Sequence, residues 1–328
     1  MKIIKFIPAL AMIALLSACG TKSGSFKAPK FDKVGASIEK DVFVSEINNA
    51  VDASVYNSTE ELAKSFVCTA SYGSESIATI NKDGKKYGEQ LQQRTMTANL
   101  KADTKNYVAH MEGEQVDHMK VTQGNVGGME MKSVQKHDMY LQTFIFEGQE
   151  TMGEVIKSEK MFIPLGPITE TSPVEMVFDS MIKSFATSED SPIREASAFA
   201  ESVENMDEGM LEKVSFFKNN NTYTFVFEET LDPVEEKDDE NNLVKKVETK
   251  NSNKVQITLK GSDCKFVSYA VTEKTTTFYQ EYTYSGMKLK AGDSVVEKTT
   301  SYENSNLYAK NVTVKPVSID DCLLGSMI

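Results

Sequence analysis

Three histidines and four cysteines are the side chains of this 328-residue chain best suited to metal, redox or nucleophilic chemistry, and their spacing argues against most of it. Each histidine has a methionine close by: His110 beside Met111, His118 beside Met119, and His137 two residues before Met139. Imidazole plus thioether is a ligand set suited to cuprous ion. Adjacent residues on an extended strand point to opposite faces, so only His137 and Met139 share one. Chance adjacency in a methionine-rich stretch accounts for the pairs, and no metal is expected. Cys19, Cys68, Cys264 and Cys322 form no Cys-x-x-Cys, and no histidine lies near any of them, which argues against a zinc or redox site on sulfur. With Cys19 set aside, the other three leave open one bridge in any of three pairings, or three free thiols. The acidic run from Pro233 to Asn242 lacks the spacing and glycine of a calcium loop. It reads as a solvated hairpin tip, because crowded carboxylates repel one another. There is no Gly-x-Ser-x-Gly elbow, no phosphate-binding glycine loop and no His-Glu-x-x-His helix, so the sequence points away from an enzyme and from any cofactor.

Cys19 stands apart because of what precedes it. Lys2 and Lys5, the apolar stretch from Ile7 to Leu16, and the small residues Ser17 and Ala18 have the layout of a secretory signal. The apolar stretch is shorter than the ~20 residues a spanning helix needs. Leu16-Ser17-Ala18-Cys19 resembles the lipobox of bacterial lipoproteins. That resemblance implies removal of residues 1–18, a diacylglyceryl (palmitate-type) anchor on the Cys19 thiol, and a protein tethered on the extracytoplasmic face of the cell membrane or outer membrane. Loss of Lys2 and Lys5 with the signal would move the formal charge from -12 to -14. Such an acidic chain repels nucleic acid and anionic headgroups. Arg94 and Arg194 are its only arginines, which limits bidentate phosphate or carboxylate recognition.

The remaining elements must position whatever chemistry there is. Residues 19–36, rich in Gly, Ser and Lys, read as a flexible tether, followed by one domain over 37–328. Ser58 and Glu61 have capping-box spacing for a short helix. A first strand block is expected over 90–163, where Met129, Met131, His137, Met139, Leu141, Thr143 and Ile145 share one parity and Glu130, Lys132, Lys136, Asp138 and Gln142 mostly the other. A helical insert follows over 172–214. Ser172-Pro173 opens one amphipathic helix through Val177, Phe178, Met181 and Phe185; Ser191-Pro192 opens a second, with Ala196, Phe199, Ala200, Val203 and Met206 on its buried side. A second strand block over 215–315 includes the alternations Tyr223, Phe225, Phe227 and Val255, Ile257, Leu259.

Strands, then helices, then strands disfavour a parallel nucleotide-binding sheet and predict an α+β fold: a large curved antiparallel sheet, half-barrel-like, with the central helical insert packed on its concave face. Ten of the 16 methionines fall between Met96 and Met181, and methionine suits surfaces that accept apolar partners of varied shape. This element order resembles the exported half-barrel family that contains the lipoprotein-localisation carrier. The resemblance implies a lipid or acyl chain held between sheet and helices, with Tyr223, Phe225, Phe227, Val255, Ile257 and Leu259 on the concave wall facing Val177, Met181 and Phe185. The alternatives are a sensor or assembly lipoprotein that docks a protein partner, and a solute-binding receptor of an importer.

Overall fold

Two hairpin turns set the pattern of the N-terminal half. Asp83-Gly84 and Glu147-Gly148 both have positive φ at each position, the two-residue turn whose twist matches that of the strands it joins. The computed structural model describes residues 26–28, 31, 35–54, 65–124, 126–176, 178, 180, 191–237, 243–260, 266–280, 283–284, 287–288, 293–320 and 322–324. Its strands are β1 (Ala36–Ser37), β2 (Phe66–Lys82), β3 (Lys85–Asp103), β4 (Val108–Gln123), β5 (Val126–Phe146), β6 (Gln149–Ile156), β7 (Met161–Pro167), β8 (Val214–Asn219), β9 (Thr222–Thr230), β10 (Val234–Lys237), β11 (Leu243–Lys260), β12 (Phe266–Gln280), β13 (Thr283–Tyr284), β14 (Met287–Lys288), β15 (Ser294–Ala309) and β16 (Leu323–Leu324). The helices are α1 (Lys40–Asp52), α2 (Pro192–Glu204) and α3 (Glu208–Leu211). Residues 174–176, 178 and 180 are also helical, just after the expected Ser172-Pro173 start. None of these helices is long and apolar enough to cross a membrane.

The fold is α+β, built on one 14-stranded sheet in the order β1-β8-β9-β11-β12-β15-β2-β3-β4-β5-β6-β7-β16, with β10 paired to β11. It is open, ending at β1 and β16, and antiparallel throughout except for the parallel β16–β7 pair. Two meanders are joined by β15 and β2, paired without a bulge from Ser294 against Asn81 to Ala309 against Phe66. Strand structure begins at Phe66, well ahead of Gln90. The sequence of β2 hides this, because serine, alanine and threonine give its alternation little hydrophobic contrast.

One face carries the helices. Cross-strand register puts Leu259, Val267, Leu307, Cys68, Leu100, Met111, Met139 and Ile156 in a single row, with Ile257 and Tyr269 in the next row along. Over the apolar end of these rows lie α1 and α2, joined by Lys40, whose ammonium donates to the Glu204 carbonyl at 3.1 Å. Helix α2 starts as its sequence dictates: the Ser191 hydroxyl accepts from the Arg194 N–H, Pro192 fills the first turn, and Ala196, Ala200 and Val203 are fully buried. Helix α1, whose sequence carries no side-chain cap, buries Phe43, Val44, Ile47 and Val51. Its Phe43 ring lies 5.1 Å from Phe216, 6.2 Å from Tyr223 and 6.4 Å from Phe199.

The opposite face carries cross-strand polar pairs beside a second apolar set that includes buried Val67, Val108, Val155 and Phe162. His110 bonds Asp138 at 2.8 Å and stacks on Tyr140, His118 bonds Glu130 at 2.8 Å, and Lys101 pairs with Glu112 at 3.3 Å. A strap over 310–320 crosses this face. Buried Gln142 donates its amide to the Val317 carbonyl at 2.8 Å and accepts the Val317 N–H at 2.9 Å, while Asp103 accepts the Val314 N–H at 3.0 Å. Burial alone would raise the Asp103 carboxyl, but hydrogen bonds from Asn106, Val314 and Lys105 hold it below the ordinary carboxylate value. Phe26, inside the expected tether, packs on the Tyr302 ring at 5.4 Å on the same outer face. Gly73 lies beneath that ring, where a Cβ would collide with it.

Candidate functional site

Among the described residues the helices cover only one end of long strands, and the same sheet face continues beyond them with no described segment over it. There β15, β2, β3, β4 and β5 line a hollow of about 1160 Å³. Tyr72, Ser74 and Ser76 from β2, Gln92, Arg94 and Met96 from β3, Gln115, Asp117 and Met119 from β4, Met131 and Ser133 from β5, and Thr299 from β15 border it. These side chains share the parity of Phe66, Leu100, Met111, Leu141 and Leu307 and continue the core-facing surface past the described helices, while Glu75, Gln93, His118 and Lys132, of the other parity, border the hollow as well. The hollow is larger than the ~300–1,000 Å³ of an ordinary small-molecule pocket.

Its lining is mixed. Met119 stands opposite Met131 in the β4–β5 register, and Met131 and Met129 are 55% and 51% exposed, unusual for methionine. Across the floor, Arg94 donates to Asp117 at 2.6 Å, and the Gln115 amide donates to the other Asp117 oxygen at 2.9 Å. Burial by itself would raise the Asp117 carboxyl, but bonds from Arg94 and Gln115 hold it below its ordinary value. The floor therefore presents the Arg94 guanidinium and the amides of Gln92 and Gln115 beside flexible thioethers. Such a surface can take a ligand with both apolar and polar parts.

The residues expected to line a cavity lie elsewhere. Tyr223, Phe225, Val255, Ile257 and Leu259 are buried in the core under α1 and α2, and Phe227 packs at its edge. Phe225 is 5.2 Å from the Phe199 ring and 5.7 Å from Phe216, so that wall is filled by aromatic side chains. Val177, Met181 and Phe185 lie outside the described residues, as do Cys19, the Ser58 capping box and Cys264. Phe178 is fully buried against Tyr107, 5.9 Å ring to ring. Cys68 and Cys322 are free thiols, and burial pushes Cys68 up to about 12, which makes it unreactive.

The parity noted for β5 holds in register, but burial divides it: His137, Met139 and Leu141 are buried, while Met129, Met131 and Ile145 are exposed. Sequence reasoning missed Arg94, Gln92, Gln115 and Asp117. The available signal was register: Arg94 has the parity of Leu100 and Ala102 on β3, which places one of two arginines in the chain on the inward face. Glu154, on β6 opposite Leu141, is raised above its ordinary value by burial.

No family model and no curated protein matches the sequence. Among solved structures, a lipovitellin chain described for its lipid–protein interactions is similar at a TM-score of 0.26 and 9% identity, over 77% of this chain and 26% of that one. The outer membrane protease OmpT of Escherichia coli gives 0.20 and 7%, over 77% and 100% of the two chains, and the outer membrane protein OprG of Pseudomonas aeruginosa 0.19 and 6%, over 75% and 97%. This chain thus spans about a quarter of the lipovitellin chain. TM-scores of this size fix neither fold nor function.

Proposed function

We propose that this protein is an extracytoplasmic lipoprotein, anchored through Cys19, that holds an amphipathic lipid-like ligand in the open hollow of its sheet. The observation that carries the proposal is the uncovered inward face itself. A sheet surface continuous with the core, large enough for an acyl chain and edged by Met96, Met119 and Met131, carries no helix among the described residues. Its Arg94–Asp117 floor favours a ligand with a polar head over a plain hydrocarbon. The site moves from the wall under the helices to the free half of the same face, because aromatic rings already occupy the first.

Two experiments test this. Extraction and mass spectrometry of protein purified without detergent should recover lipid, and a fluorescent fatty acid should bind. Ser74→Trp, which places an indole in the hollow, should weaken that binding at least tenfold with an unchanged circular dichroism spectrum. Recovery of no lipid together with no fatty-acid binding ends the proposal. For the anchor, Cys19→Ala should leave the protein uncut or release it from membranes; unchanged processing and fractionation would remove that part alone.

A further inference from the structure

His137 is 5% exposed, yet among the described residues neither ring nitrogen has a hydrogen-bond partner. Buried polar groups are paired as a rule, and an orphaned one is retained at a cost. The other two histidines are committed, His110 to Asp138 and Tyr140 and His118 to Gln93 and Glu130, all of the opposite parity. His137 alone of the three has the parity of the helix-bearing face. Its neighbours on that face are the amides of Gln135 and Gln115 on one side and thioethers on the other. Met139 is the next residue of β5 on the same side, about 7 Å along the strand. Met111 stands directly opposite Met139 on β4, where facing Cβ atoms are about 5 Å apart and the diagonal to His137 is about 7–8 Å. Gly113, directly opposite His137, contributes no side chain to come between them.

We infer that His137, Met139 and Met111 form a binding site for a single soft monovalent metal ion, cuprous copper, at the boundary between the packed core and the open hollow. One imidazole and two thioethers, all neutral, suit that ion and disfavour hard or strongly hydrated ones. Unbranched methionine side chains can swing their sulfurs toward a common point. Among the described residues no three His, Cys, Asp or Glu side chains gather as an alternative metal site. Strand parity in the sequence groups only His137 with Met139, and the β4–β5 register adds Met111 from 28 positions before Met139. The inference stands apart from ligand binding in the hollow.

The test is an anaerobic titration of the full chain with cuprous ion against a chromogenic chelator, with circular dichroism as a check on folding. Wild type should take up one ion per chain, and X-ray absorption should show sulfur and nitrogen scatterers together. Met111→Leu and Met139→Leu, which preserve volume, should each weaken binding at least tenfold, and His137→Leu should abolish it. Failure of wild type to compete with the chelator overturns the site. So does wild-type affinity in the folded methionine variants, which would place the copper on a cysteine thiol.

Discussion

Phe43→Ala compared with Met131→Ala measures directly whether the two ends of the inward face differ as described. Phe43 is fully buried and its ring meets Phe199, Phe216 and Tyr223 within 6.4 Å, so truncation removes both apolar burial and three aromatic contacts. Large-to-small changes at such positions cost about 3–5 kcal/mol, because the cavity left behind collapses only in part. A loss of about 4 kcal/mol lowers the folding equilibrium constant roughly a thousandfold. Met131 shares the same sheet face but is 55% exposed. Its truncation should change stability by no more than about 0.5 kcal/mol, the range for surface substitutions. Urea unfolding followed by far-ultraviolet circular dichroism is the assay, since the chain has no tryptophan to report by fluorescence. Comparable losses for the two variants would mean that the methionine end is packed like the helix end, and the hollow would have no basis.

Three further outcomes follow from the same geometry. Metal-free His137→Leu should be more stable than wild type by about 1–3 kcal/mol in urea, the cost of an unsatisfied buried polar group; a destabilised variant would show that the imidazole is paired after all. Glu154 has its folded pKa raised by burial, so the proton favours the folded state and that contribution, complete below the ordinary carboxyl value, is lost as pH rises through the raised one. Glu154→Gln should therefore match wild type near about pH 4 and exceed it increasingly toward neutrality, and a parallel pair of stability profiles would refute the assignment. Gln142→Leu removes both side-chain bonds to Val317 and should open the strap over 310–320, raising hydrogen exchange at Val317 and costing about 1–3 kcal/mol; protected exchange there would show that the strap is held by other contacts.

Local rules carried the sequence a long way. Ser191 and Pro192 start α2 because a capping hydroxyl and a fixed φ act within one turn, and Asp207 caps α3 for the same reason. The antiparallel, strand-rich fold class and the single parity of Met129 through Ile145 follow from a period of two, which needs no knowledge of the partner strand. Helix α1 was not anticipated, because without a capping side chain its start carries no local signal.

What the tertiary structure decided is which part of each inward face is covered. Val255, Ile257 and Tyr223 look like cavity wall in sequence and are core, because α1 brings Phe43 and α2 brings Phe199 onto them. Arg94, Met119 and Met131 look like ordinary strand residues and border the hollow, because the described helices stop short of them. Parity assigns a side chain to a face, but only contacts between residues far apart in the chain determine whether that face meets protein or solvent. The same holds for His137, which the β4–β5 register places opposite Gly113 and diagonal to Met111, as nothing in its own neighbourhood does.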